Sequence, residues 1–347
     1  MGKIIVPTGY MGSGSSAITD IIREFDGYNA AQGSFEYIFL HCPDGVFDLE
    51  DKLLLNNNAF RSDEAIHSFR RRMEELYTDK IWWPANYKKR LHQEFMNYTE
   101  KYIQDLIQYE SNNAWYMQQK PTFIMLIKNI IRRFLLMISA GKLRLPYALR
   151  YSPMTVSFVT GEEFYSASQK YIYGLFEVMG MSKQNLILDQ LLLPYNLWRV
   201  ENYFKDDIEC FVVERDPRDV FISNKYFWGK KDEQVPYPTE VEEFCKYYRC
   251  IRNLEKKVEK PYIHRFWFED LIYNYNDSIE RICNILQVSS INNAEFGKYF
   301  QPENSINNTQ LFLNNRFKHE AEIIQERLHE YLYVFPYERK PILNNVF

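Results

Sequence analysis

"VVERDPRDVFISNK" (Val212 to Lys225) is an apolar run that breaks into Arg-Asp-Pro-Arg-Asp and then turns apolar again. The overlapping "IECFVVE" (Ile208 to Glu214) is apolar and β-branched and reads as a buried strand. Pro217 suits the first turn of a helix. Arg215 therefore stands at the carboxyl end of a strand, and Ser223 follows eight residues later, about two helical turns along. A guanidinium and a hydroxyl so placed can share one phosphate, the arginine by a bidentate contact. Taken alone, the same residues also read as a solvated helix start, with Asp216 and Asp219 as caps.

A second segment raises the same question. "KIIVPT" (Lys3 to Thr8) reads as a buried strand and "GYMGSGSS" as a loop. In "AITDIIREF", Ala17, Ile18, Ile21, Ile22 and Phe25 recur at helical spacing. Gly9 to Ser16 has the G-x-x-x-x-G spacing of a nucleotide loop, but Ser15-Ser16 stand where the lysine should be. Backbone N–H groups of a glycine-rich turn can still converge on one phosphate; the alternative is a tight turn that binds nothing.

The pattern recurs along the chain. Strands are expected at "NLILDQ" (Asn185 to Gln190) and "PYIHRFWF" (Pro261 to Phe268), with helices between, and Ser34 to Leu40 reads as a second short strand or the approach to one. Asp277 and Glu280 read as a capping-box variant opening a late helix. Alternation of this kind predicts an α/β fold, a three-layer parallel sheet with helices on its faces and ligand at the carboxyl ends of the strands. A long helical insertion is expected over about 48–183 in a single domain whose core is about 1–47 and 184–310, with a tail over 311–347.

Bulk properties exclude several classes. The 347 residues carry a net charge of −4, which argues against a general nucleic-acid binder. The five cysteines form no C-x-x-C pair, so neither zinc nor a redox dithiol is indicated, and a cytoplasmic location is expected. No metal is expected. "FIMLIKNIIRRFLLMISA" (Phe123 to Ala140) is interrupted by Lys128, Arg132 and Arg133, too charged for a spanning segment, and reads as an amphipathic or buried helix. Oligomeric state is not legible.

In order, "YMGSGSS", "VVERDPRDVFISNKYF" and "RFWFEDLIYNYNDSIERICNIL", with the weaker "NLILDQLLLP", resemble the sulfotransferases that use 3′-phosphoadenosine 5′-phosphosulfate, a P-loop-NTPase-like fold. "EYIFLHCPDGVFDLEDKLLLNNNAF" is similar to bacterial members associated with surface polysaccharides. The resemblance implies a cradle for the 5′-phosphosulfate at Gly12, Ser13, Gly14, Ser15 and Ser16. It implies a 3′-phosphate site at Arg215 and Ser223, with Phe268 against adenine. Two departures stand out. Gly12 occupies the position where many members have lysine, and the late Arg-Lys-Gly loop is replaced by "FQPENSINNTQ", with Ser305 and Asn307. Lys225 and Arg218 are candidate replacement cations.

Transfer to a hydroxyl needs a base for its proton. Glu36 and Asp189 are the candidates, both expected to be ionised at neutral pH from reference values of about 4.3 and 3.9. Each also reads as a structural carboxylate, and His41 reads as structural. The implied acceptor is a glycan or small-molecule hydroxyl, with aromatics of the helical insertion walling its pocket. Alternatives are a catalytically altered nucleotide-binding member of the same fold and, against the missing lysine, a P-loop kinase.

Overall fold

Six consecutive buried residues, Ile4–Gly9, form β1 at the centre of a five-stranded sheet. The computed structural model describes residues 2–31, 35–82, 84–111, 122–148, 154–205, 207–228, 235–289, 295–340 and 342. With β2 (Tyr28–Ala30), β3 (Tyr109–Ser111), β4 (Met154–Val156), β5 (Asn185–Ile187), β6 (Ile208–Glu214) and β7 (Ile263–Trp267), the sheet order is β2-β5-β1-β6-β7. Every pairing in it is parallel. Strands buried on both faces read as near-continuous apolar runs, which is why β1 and β6 are legible without alternation.

From β1 the chain runs past β5 to the edge strand β2, and after β5 it later crosses β1 to reach β6, so the connections run in opposite directions at the carboxyl ends of these two strands, where a crevice is expected. β5 pairs with β1 only at Ile4 and Ile5. Pro7, with no N–H to give, lies beyond the end of that ladder, although its carbonyl still accepts from Gln190 N–H. One core cluster packs Ile5, Phe211 and Val213 against Ile18, Ile22 and Ile282 of the flanking helices Ser16–Ile22 and Tyr275–Leu286. A second gathers Phe221, Phe244, Leu311, Phe317 and Ile324.

The chain divides into two compact units, 1–41 with 176–347, and 42–175. The second unit holds the helices Ala59–Thr78, Glu94–Leu106, Phe123–Ile138 and most of Gly161–Val178. Its aromatic core includes Tyr102 stacked on Tyr171, centroids 4.8 Å apart. It also contains the antiparallel β3–β4 pair, whose strands are too short to leave a periodic signal in the sequence. No described helix is long and apolar enough to cross a membrane.

One open reading is resolved and one expectation is corrected. Residues 35–40 form no strand; Phe35, Tyr37, Ile38, Phe39 and Leu40 are buried together in an irregular connection, and Tyr37 N–H donates to the Asp189 carbonyl. Ser34 lies outside the described residues. The late helix starts at Tyr275 with Asn274 at its N-cap, so Asp277 sits in the first turn and builds no capping box with Glu280. There it complements the positive end of the helix.

Candidate functional site

The loop that follows β1 turns tightly. Ser13 N–H donates to the Tyr10 carbonyl at 2.8 Å, and Gly12 and Gly14 take φ of 79° and 83°. A side chain at Gly14 would be strained by that φ, and its Cβ would stand 2.7 Å from the Phe268 ring. Gly14→Ala is therefore expected to destabilise the fold by about 2–4 kcal/mol, from left-handed strain plus overpacking. Adding Phe268→Ala should return the steric part, read as a shift in the denaturant midpoint. The loop from Gly9 to Ser16 lines a cavity of about 700 Å³.

Arg215 closes the base of this loop. It is 4% exposed, and its Nη1 donates to the Gly12 carbonyl at 3.0 Å. Its Nη2 donates to Ser223 Oγ at 3.2 Å and to the Asn308 carbonyl at 2.6 Å. Among the described residues, Nε is buried without a partner, and so is Ser13 Oγ on the loop. The guanidinium lies 5.0 Å from the centroid of Phe268. Phe268 is buried between Arg215 and Gly14 and does not line the cavity. Ser223 opens the π-helical turn Ser223–Trp228, which follows the helix Pro217–Ile222; such turns recur at functional sites.

Three buried carboxylates surround Arg215, yet among the described residues none pairs with it. Asp216 caps the helix through Arg218 N–H and binds the Arg218 guanidinium at 2.7 Å. Asp219 does not cap. It accepts from the backbone N–H groups of Gln310 and Leu311, each at 2.8 Å, pinning the late loop to the site. Burial pushes the Glu269 carboxyl well above the usual carboxylate range, and burial beside Asp216 pushes Asp219 up as well. Asp216 is engaged by Arg218, and the nearby Asp219, Glu269 and Asp216 act on the Arg215 charge without a direct ion pair among the described residues. A buried cation without a full counter-ion carries a large desolvation cost.

Neither Arg218 nor Lys225 lines the cavity. Arg218 serves Asp216, and Lys225 binds Glu320 at 2.6 Å. Arg215 is the one permanent cation among its described lining residues. A further cation reaches the late loop from far along the chain. Arg339 donates to the Ile306 carbonyl at 3.3 Å and to Asn307 Oδ1 at 3.1 Å, one residue from the Asn308 carbonyl that Arg215 holds. Only its isolation in the C-terminal stretch "YERKP" hid it from a motif-based reading.

Glu36 faces the cavity. Burial, then the negative charge of Asp189, pushes its carboxyl up to about 7, so it is not fully ionised at neutral pH as the reference value implied. Asp189 is raised to about 6, first by burial, and is held by the Thr19 hydroxyl; it does not line the cavity. His41, expected to be structural, also faces the cavity, with Nε2 2.7 Å from the Gln190 carbonyl and its pKa lowered by burial.

Gln190 was invisible to motif reading. At φ 55° it turns the chain beyond β5; its Nε2 donates to Ser15 Oγ at 3.0 Å, and its Oε1 accepts from Thr8 at 3.3 Å. It thereby couples the loop to His41. Opposite, Tyr10 donates to Glu255 and lies 3.9 Å beneath the Arg252 guanidinium, in a network with Arg265 and Glu214. Aromatic residues of the first unit, among them Tyr195, Trp228, Tyr237 and Tyr247, line the cavity.

No family model matches this chain, and no curated protein matches it. Among solved structures, it is similar to the sulfotransferase domain from the curacin biosynthetic pathway, at 14% identity and TM-score 0.43, covering 96% of this chain and 99% of that one. It is similar to the sulfotransferase domain of the Synechococcus olefin synthase, at 14% identity and TM-score 0.41, covering 96% and 94%. A sulfotransferase from Mycobacterium avium matches at 10% identity and TM-score 0.38, covering 98% and 78%. Similarity at these scores assigns no activity to this chain.

Proposed function

We propose that this protein is a sulfotransferase that moves a sulfuryl group from 3′-phosphoadenosine 5′-phosphosulfate to a hydroxyl of a glycan or glycan precursor. The observation that carries the reading is Arg215: buried, joined at once to the phosphate-type loop and to Ser223, with Nε and the neighbouring-loop Ser13 Oγ lacking partners among the described residues. Arg215 and Ser223 would take the 3′-phosphate, aided by Arg339 through the loop it holds. Ser13 to Ser16 would take the 5′ end.

In the transfer, the acceptor oxygen forms a bond to sulfur while the bond from sulfur to the 5′-phosphate oxygen breaks, its electron pair leaving on the phosphate. Glu36, where ionised, takes the acceptor proton. Positioning and charge stabilisation supply the rest. A cavity walled by aromatic rings and edged by a carboxylate suits a sugar ring.

A second reading, a nucleotide-binding protein without turnover, is favoured by Gly12 in place of lysine and by Arg215 as the one permanent cation in the described lining. Calorimetric titration separates the readings. Metal-free binding of adenosine 3′,5′-bisphosphate at micromolar strength or better, about −8 kcal/mol, is the expected result. Binding of Mg-ATP in preference would point to a kinase and overturn the proposal. Turnover with the phosphosulfate donor distinguishes an enzyme from a silent binder.

A further inference from the structure

The helix Phe123–Ile138 carries its apolar face outward. Phe123, Ile124, Ile130, Phe134, Met137 and Ile138 are each more than half exposed, and Leu126, Ile127 and Ile131 are exposed beside them. An ordinary surface helix has the opposite arrangement. At 3.6 residues per turn these nine side chains fall within an arc of about 160°, and Lys128 and Arg133 stand at its two edges. The inward side is partly polar. Buried Asn129 donates to the Ala148 carbonyl at 3.2 Å and accepts from Ala148 N–H at 2.9 Å. Arg132 donates to the Leu145 carbonyl at 2.8 Å. These bonds fasten the returning segment, on which Leu143, Leu145 and Tyr147 are again exposed.

Between residues 122 and 148 there are five basic residues, Lys128, Arg132, Arg133, Lys142 and Arg144, and no Asp or Glu, in a chain whose net charge is −4. We propose that this helix and its returning segment dock the protein on an anionic lipid bilayer surface, lying in the interface plane. Sixteen residues span about 24 Å, short of the roughly 20 residues a crossing helix needs, and charged residues interrupt the run. Apolar side chains enter the acyl boundary while the flanking Lys128 and Arg133 extend to the headgroups. A second copy of this chain is the weaker occupant. A two-fold contact through this face would set five positive charges against five, with no acidic residue in the segment to pair with them. The inference stands apart from the sulfuryl-transfer reading, and its test does not involve turnover.

The test is co-sedimentation of the full chain with vesicles of phosphatidylcholine alone and of phosphatidylcholine mixed equally with phosphatidylglycerol, at low and high salt. Binding to the anionic vesicles at least about tenfold tighter, and weakened by salt, is expected. Ile130→Glu with Phe134→Glu should abolish binding to both vesicles. Lys128→Gln with Arg133→Gln should remove mainly the anionic preference. All four side chains point outward, so circular dichroism should be unchanged. Wild-type protein that stays in the supernatant with anionic vesicles at low salt would overturn the proposal. So would a wild-type dimer, seen by sedimentation velocity, that Ile130→Glu with Phe134→Glu converts to monomer with no vesicle binding in either form.

Discussion

Arg215→Ala is expected to weaken binding of adenosine 3′,5′-bisphosphate by about 2–5 kcal/mol, a loss of roughly 30-fold to several thousand-fold in titration calorimetry. The size follows from burial: a desolvated guanidinium meets a phosphate with its charge only partly offset by the carboxylates around it. Arg215→Lys should recover little of the loss, because an ammonium cannot serve the Gly12 carbonyl, Ser223 and a phosphate as a planar fork does. Ser223→Ala removes a hydroxyl whose bonds to the phosphate and to the Arg215 guanidinium are both charge-assisted, and should cost about 1.5–3 kcal/mol. Since Arg215→Ala also frees the Gly12 and Asn308 carbonyls, the thermal midpoint must be measured beside affinity. Unchanged affinity in a folded Arg215→Ala protein would refute the assignment of the 3′-phosphate site.

Glu36→Gln is expected to move activity and stability in opposite directions. Loss of the base should lower kcat by about 10²–10⁴-fold while leaving bisphosphate affinity nearly unchanged. Because the Glu36 carboxyl lies near 7, kcat/KM of the parent should rise with pH through about 7, and the variant should lose that limb. Stability follows from the same shift. The carboxyl rises from 4.5 when unfolded to about 7 when folded, so the folded state favours the protonated form. The resulting cost to stability is absent below about pH 4.5, grows as pH rises, and is complete above about pH 7. At about 1.4 kcal/mol per pH unit it reaches on the order of 3 kcal/mol. The neutral glutamine escapes it, so Glu36→Gln should be the more stable protein at pH 8 and no more stable at pH 4. Asp189→Asn should instead keep turnover and shift the kinetic limb to lower pH, because it removes the charge that helps to raise Glu36. A parent profile that is flat from pH 6 to 8 would remove Glu36 as the base.

Local physics made part of this protein readable. β1 and β6 are apolar runs because both their faces are buried, and Pro217 and the glycines of the loop mark where each strand ends. The spacing of eight between Arg215 and Ser223 follows from helical pitch, and the two side chains do meet. Over residues 35–40 the side chains are largely buried but the backbone is irregular, so the same apolar signal could not tell a strand from the approach to one.

The sequence by itself determined that a parallel α/β sheet ends in a glycine-rich loop and a buried-strand arginine, because strand burial, turn chemistry and helical pitch act within a few residues. Only the tertiary structure decided what those residues face. Gly12 meets Arg215 across 203 positions, Ser15 meets Gln190 across 175, and Arg339 reaches the Asn307 loop from 32 residues away. Such meetings depend on strand order, which sets neighbours regardless of distance along the chain. The same holds for acidity. Glu36 and Glu269 are ordinary carboxylates in the sequence, and only desolvation and the negative charges packed beside them raise both above the usual carboxylate range.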